Sequence, residues 1–95
     1  YELAMAQVYF KSGRKDDRAV FDYTFRRLPF NSGHVIFAGL EDLLHTLENL
    51  RFDDDDLTYL KDQHMDDGFL EYLKAFRFHG TIYSCQEGEV IFPYE

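Results

Sequence analysis

The apolar period changes between residues 19 and 50, and this change limits the folds open to the chain. Over residues 19–26 the period is two, with Phe21, Tyr23 and Phe25 alternating with Asp22, Thr24 and Arg26. Successive side chains of an extended backbone point to opposite faces, so the pattern predicts a half-buried strand with one aromatic face. From Gly39 the period becomes helical: Leu40, Leu43, Leu44, Leu47 and Leu50 fall on one face of a helix. A chain carrying both periods needs both kinds of element.

The order of the elements sets the class. Residues 1–11 read as a helix of good helix formers, with Gly13 where a left-handed residue ends a helix. Residues 14–18 are a charged connector, and residues 28–33 are rich in turn formers. Residues 34–38 are apolar and fit either element. Asp53, Asp54, Asp55 and Asp56 precede Leu57, Tyr59 and Leu60, and carboxylates belong at a helix start, where N–H groups are free and the dipole is positive. A further short helix turns Phe69, Leu70, Leu73 and Phe76 inward. Residues 81–85 and 89–92, joined by Gln86, Glu87 and Gly88, read as a β-hairpin. Strands and helices do not alternate regularly, so a parallel βαβ sheet is disfavoured. The expectation is one α+β domain over residues 1–95, with helices packed on a small mixed or antiparallel sheet.

Composition narrows the function classes. The formal charge is −8, which opposes general nucleic-acid binding, where a basic surface must displace counterions. No apolar run approaches the roughly 20 residues that span a bilayer, and no signal-peptide pattern opens the chain. Cys85 is the only cysteine, so no internal disulfide can form and a reducing, cytoplasmic setting is expected. Ten Phe and seven Tyr without Trp supply much apolar area for a modest core.

No set of residues forms a catalytic constellation by spacing alone. His34, His45, His64 and His79 are not paired with Cys or His at metal-binding intervals, so no metal site is expected. The aspartate run lacks the glycine and distal glutamate of a calcium loop, and a helix start explains it better. Cys85 lacks a neighbouring base and reads as a small apolar residue. The glycines form no phosphate-cradling loop. Arg26 and Arg27 at a strand end could bind phosphate through their fixed forks, but from spacing alone ordinary ion pairs with the abundant acids are the favoured reading. Tyr1 can serve as a stacking platform or simply begin a helix.

Several segments, in order, resemble one family. Residues 1–7 (Tyr-Glu-Leu-Ala-Met-Ala-Gln) are similar to the opening Tyr-x-x-x-Met-Ala segment of nicotinate phosphoribosyltransferases. Residues 21–30 resemble that family's Phe-x-x-x-Phe-Arg-Lys/Arg-x-Pro-Phe strand and turn, and residues 37–40 its Phe-Ala-Gly-Leu helix start. Arg77, Phe78 and Gly80, then Glu87-Gly88 and Phe92-Pro93, resemble the hairpin that closes the amino-terminal segment. One departure is Asn31-Ser32-Gly33-His34, where the family usually has Gly-Gly and an aromatic.

The resemblance implies the amino-terminal domain that accompanies a type II phosphoribosyltransferase barrel. It implies an enzyme of NAD biosynthesis that forms nicotinate mononucleotide from nicotinate and phosphoribosyl pyrophosphate. ATP and magnesium are implied for the full enzyme, with no cofactor held by this segment. The catalytic residues are expected beyond Glu95, so the 95 residues alone should be inactive. A homodimer is implied, with the residue matching Tyr1 stacking on the pyridine ring and a strand-end arginine, Arg26 before Arg27, near the phosphates. The partners expected are these two substrates and the chain's own barrel. Two alternatives stay open: a nicotinamide or quinolinate phosphoribosyltransferase, and a non-catalytic interaction module.

Overall fold

A computed structural model describes residues 1–95. The elements are α1 (Glu2–Lys11), β1 (Val35–Ile36), α2 (Leu40–Glu48), α3 (Asp54–Asp62), α4 (Asp67–Lys74) and β2 (Val90–Ile91), with a 3-10 turn over Pro29–Asn31. This is an α+β fold whose two-stranded sheet is antiparallel. The chain divides into two compact units, residues 1–19 with 50–78 and residues 20–49 with 79–95.

The first unit is helical, and local chemistry fixes its helix ends. α1 stops as expected: the Gly13 N–H donates to the Phe10 carbonyl at 3.1 Å and the Arg14 N–H to the Tyr9 carbonyl at 2.8 Å. These paired bonds make a Schellman ending, which requires a left-handed residue, and Gly13 supplies φ +75°. α3 begins with a reciprocal capping box. Asp53 accepts from the Asp56 N–H at 2.9 Å, and Asp56 accepts from the Asp53 N–H at 3.1 Å. The aspartate run is therefore a helix start. α3 ends in the same motif as α1, with the His64 N–H on the Lys61 carbonyl and the Met65 N–H on the Leu60 carbonyl. Here the left-handed position falls on His64, at φ +63°.

The core of this unit consists of Leu60 from α3 and Phe69, Leu70 and Leu73 from α4, and Phe69 is fully buried. Leu3, Ala6 and Phe10 lie on one face of α1 and pack against it, with Met65 and Tyr72. Phe10 reaches Phe69 at 5.7 Å and Tyr72 at 5.2 Å between ring centroids, within the range of favourable aromatic pairs. Gln7 accepts from the Asp66 N–H at 2.6 Å, which ties α1 to the start of α4. Phe76, expected inward, is half-buried just past the end of α4, against Phe52 and Tyr72.

The second unit corrects three expectations. First, residues 19–26 form no strand, and Phe21 and Tyr23 are 89% and 99% exposed, with Phe25 half-buried. A strand is held by ladder bonds from a neighbour, and the segment receives only one bond, from the Tyr94 N–H to the Phe25 carbonyl. Second, residues 81–85 form no hairpin arm. Residues 90–91 pair with the ambiguous segment at 35–36 instead, in the register Val35↔Ile91 and Ile36↔Val90. Both partners are β-branched Val-Ile dipeptides, which suit a pleated pair. Third, the leucine stripe of α2 lies on one face but is not covered: Leu43 and Leu44 are exposed, and Leu40 and Leu47 are half-buried. No residue of this unit is fully buried.

Candidate functional site

Arg26 and Arg27 form an exposed bend in the second unit. Ion pairs of the chain include Tyr1 ammonium–Glu2, Lys11–Asp66, Arg14–Asp17 and Lys15–Asp16. Glu48 and Arg51 have partners as well, and neither Arg26 nor Arg27 belongs to any of these. In a chain with 18 acidic residues, both guanidinium groups are thus left without a carboxylate partner. Each keeps a planar fork of donors that suits a phosphate oxygen pair.

The loop carrying them is anchored at both ends by one segment. Ahead of it, the Phe25 carbonyl accepts from the Tyr94 N–H at 3.2 Å. Behind it, the 3-10 turn closes through the Ser32 N–H on the Pro29 carbonyl, and the chain enters β1, which pairs with β2. Phe30 and Asn31 in that turn take φ +54° and +53°, a left-handed conformation unfavourable for residues with a Cβ. The Phe30 ring projects into solvent.

α2 begins without a side-chain cap of its own, because its N-cap is Gly39 at φ +97°. Glu87 supplies the missing acceptor from 48 and 47 residues away. Its two carboxylate oxygens accept from the Gly39 N–H at 2.8 Å and the Leu40 N–H at 2.9 Å. The contact satisfies two free donors of the helix start and places a negative charge at the positive end of the dipole. Glu87 sits in a turn closed by the Glu89 N–H on the Gln86 carbonyl, with Gly88 supplying φ +84°. By sequence alone Glu87 reads only as a turn residue. The one available signal was the uncapped Gly39-Leu40 helix start, which needs an acceptor from elsewhere.

Tyr1 lies in the first unit, at the N-cap of α1, with its side chain in solvent. Its carbonyl accepts from the Met5 N–H at 3.0 Å, which fixes the backbone and leaves the ring free to stack. The neighbouring Glu2 carboxyl is held below its ordinary range, chiefly by its own backbone N–H and then by the Tyr1 ammonium. The three candidates are thus split between the units, Tyr1 in one and Arg26 with Arg27 in the other. No three His, Cys, Asp or Glu side chains converge as a metal site. Cys85 is a half-buried free thiol.

The model of the nicotinate phosphoribosyltransferase N-terminal domain matches residues 1–95. The chain belongs to that family. It is 45% identical over 98 residues to the nicotinate phosphoribosyltransferase of Bacillus subtilis (strain 168), covering 100% of this chain and 20% of the relative. It is 39% identical over 97 residues to that of Caenorhabditis elegans, covering 98% of this chain and 17% of the relative. The Bos taurus enzyme is 34% identical over 97 residues, covering 98% and 18%. The chain therefore spans about a fifth of the length of these nicotinate phosphoribosyltransferases. No helix of the domain is long and apolar enough to cross a membrane.

Proposed function

We propose that the chain is the amino-terminal domain of a nicotinate phosphoribosyltransferase acting in NAD biosynthesis as a cytoplasmic homodimer. The observation that carries this reading is the family match across residues 1–95. In the reaction, the ring nitrogen of nicotinate forms a bond to the anomeric carbon of the ribose as the bond from that carbon to pyrophosphate breaks. ATP hydrolysis, in the remainder of the protein, supplies the driving force when ATP is bound.

The domain contributes two contacts. Arg26, with Arg27 secondary, donates to phosphate oxygens of phosphoribosyl pyrophosphate, and its charge favours the departing pyrophosphate. The absence of any internal carboxylate partner for either arginine supports this role. Tyr1 offers its ring face to the pyridine ring in the neighbouring subunit's site, and its exposure at the head of α1 supports that role. The nicotinate carboxylate needs a cation, which falls to the remainder of the enzyme. The test is substrate choice by the full-length protein, offered nicotinate, nicotinamide or quinolinate with phosphoribosyl pyrophosphate and ATP. Mononucleotide should form from nicotinate, and equal or faster turnover of either other ring would overturn the reading.

A further inference from the structure

We propose that Glu87 is a positioning residue for the arginine loop. The proposal rests on the phosphate-binding reading of Arg26. One run of contacts joins them. The Glu87 carboxylate is bound to the Gly39 and Leu40 N–H groups at the head of α2. Next along the chain, the Gly88 N–H donates to the Phe37 carbonyl and the Phe37 N–H donates to the Glu89 carbonyl, both at 2.8 Å. Val90 and Ile91 then pair with Ile36 and Val35. Finally the Tyr94 N–H reaches the Phe25 carbonyl, one residue before Arg26. The segment that begins at Glu87 thus holds both ends of the loop bearing Arg26 and Arg27.

Register is the weak point of this arrangement. Each strand has only two residues, and the inner face of the pair is the single half-buried couple Val35 and Ile91, with no fully buried residue to penalise a slip. Hydrophobic pattern specifies register where one face is buried, and a ladder this short lacks that control. The Glu87 contact supplies it. Two charge-assisted bonds from one carboxylate to adjacent N–H groups fit one placement of residues 87–94 relative to α2. A one-residue slip breaks both and carries the Tyr94 N–H away from Phe25. The arginine loop then loses its forward anchor.

The experiment uses the full-length enzyme and reads KM for each substrate separately from kcat. Glu87→Ala should raise KM for phosphoribosyl pyrophosphate by about tenfold, the order expected for a lost charged hydrogen bond. KM for nicotinate and kcat should stay near their starting values. Glu87→Gln keeps one acceptor oxygen and should fall between, which also provides a readout if Glu87→Ala fails to fold. Arg26→Ala separates the two layers of the argument. If it leaves KM for phosphoribosyl pyrophosphate unchanged, the phosphate reading fails and the inference falls with it. If it raises that KM while Glu87→Gln and any soluble Glu87→Ala enzyme bind both substrates normally, or lose both equally, the phosphate reading survives and the inference is overturned. In the double variant, once Arg26 is gone, the Glu87 change should add much less to KM for phosphoribosyl pyrophosphate than it does alone, only what passes through Arg27, because coupled residues are not additive. Full additivity would mean that Glu87 serves stability alone.

Discussion

Phe69→Ala tests the packing of the helical unit most severely. Phe69 is 0% exposed and sits among Leu60, Leu70 and Leu73. Its ring lies 5.7 Å from Phe10 and 6.2 Å from Tyr72. α1, α3 and α4 therefore meet at this one side chain. Truncation removes the ring's transfer free energy and leaves a cavity that three helices cannot easily close, which costs about 3–5 kcal/mol. With a urea m-value of about 2 kcal/mol per molar, the unfolding midpoint should fall by roughly 1.5–2.5 M. That is a large share of the roughly 5–15 kcal/mol that holds a domain together. The assay is urea unfolding of the 95-residue chain, followed by helical circular dichroism. Phe21→Ala is the internal control: its ring is 89% exposed, so the change should stay within about 0.5 kcal/mol. Equal midpoints for the two variants would refute the assignment of the core.

Two further outcomes follow from local geometry and from the candidate site. His64→Gly should raise stability by roughly 0.5–1 kcal/mol in the same urea assay, because glycine relieves the left-handed strain at the end of α3 and gives back part of the gain in chain entropy. A lower midpoint would show that the His64 side chain stabilises the helix end by some other contact. The 95-residue chain alone should form no nicotinate mononucleotide from nicotinate, phosphoribosyl pyrophosphate and ATP, and product above the blank would place catalytic groups inside it.

Elements defined by local chemistry were legible in the sequence. The capping aspartates of α3, the glycine ending of α1 and the inward face of α4 all depend on residues within a few positions of one another. Pairing and cover were less legible. A period of two at residues 19–26 identifies an aromatic face but not its neighbour, and within this chain the face meets no strand. The leucine stripe of α2 likewise marks a face without saying what covers it. The hairpin expectation failed because proximity in sequence and strand-favouring residues pointed to 81–85, whereas the strand at 90–91 pairs with the distant segment at 35–36, and a long-range pairing leaves no local pattern. The site divides the same way. The candidates Arg26, Arg27 and Tyr1 were visible as residue types and through the family resemblance, but the Glu87 contact joins positions 47 and 48 residues apart, and its only trace in the sequence was the uncapped Gly39-Leu40 helix start.

The central claim is that this domain supplies separate contacts to the two substrates, a ring face from Tyr1 and a phosphate clamp from Arg26. The most direct measurement is the pair of Michaelis constants for nicotinate and phosphoribosyl pyrophosphate in full-length enzymes carrying Tyr1→Phe, Tyr1→Ala or Arg26→Ala. Tyr1→Phe should retain most nicotinate affinity, because the aromatic face remains. Tyr1→Ala should lose severalfold or more, in line with the roughly 0.5–1.5 kcal/mol that a stacked ring adds beyond its buried area. Arg26→Ala should weaken phosphoribosyl pyrophosphate more than nicotinate. If Tyr1→Ala and Tyr1→Phe behave alike, and Arg26→Ala affects both substrates equally or neither, the domain makes no such contacts and the account is contradicted.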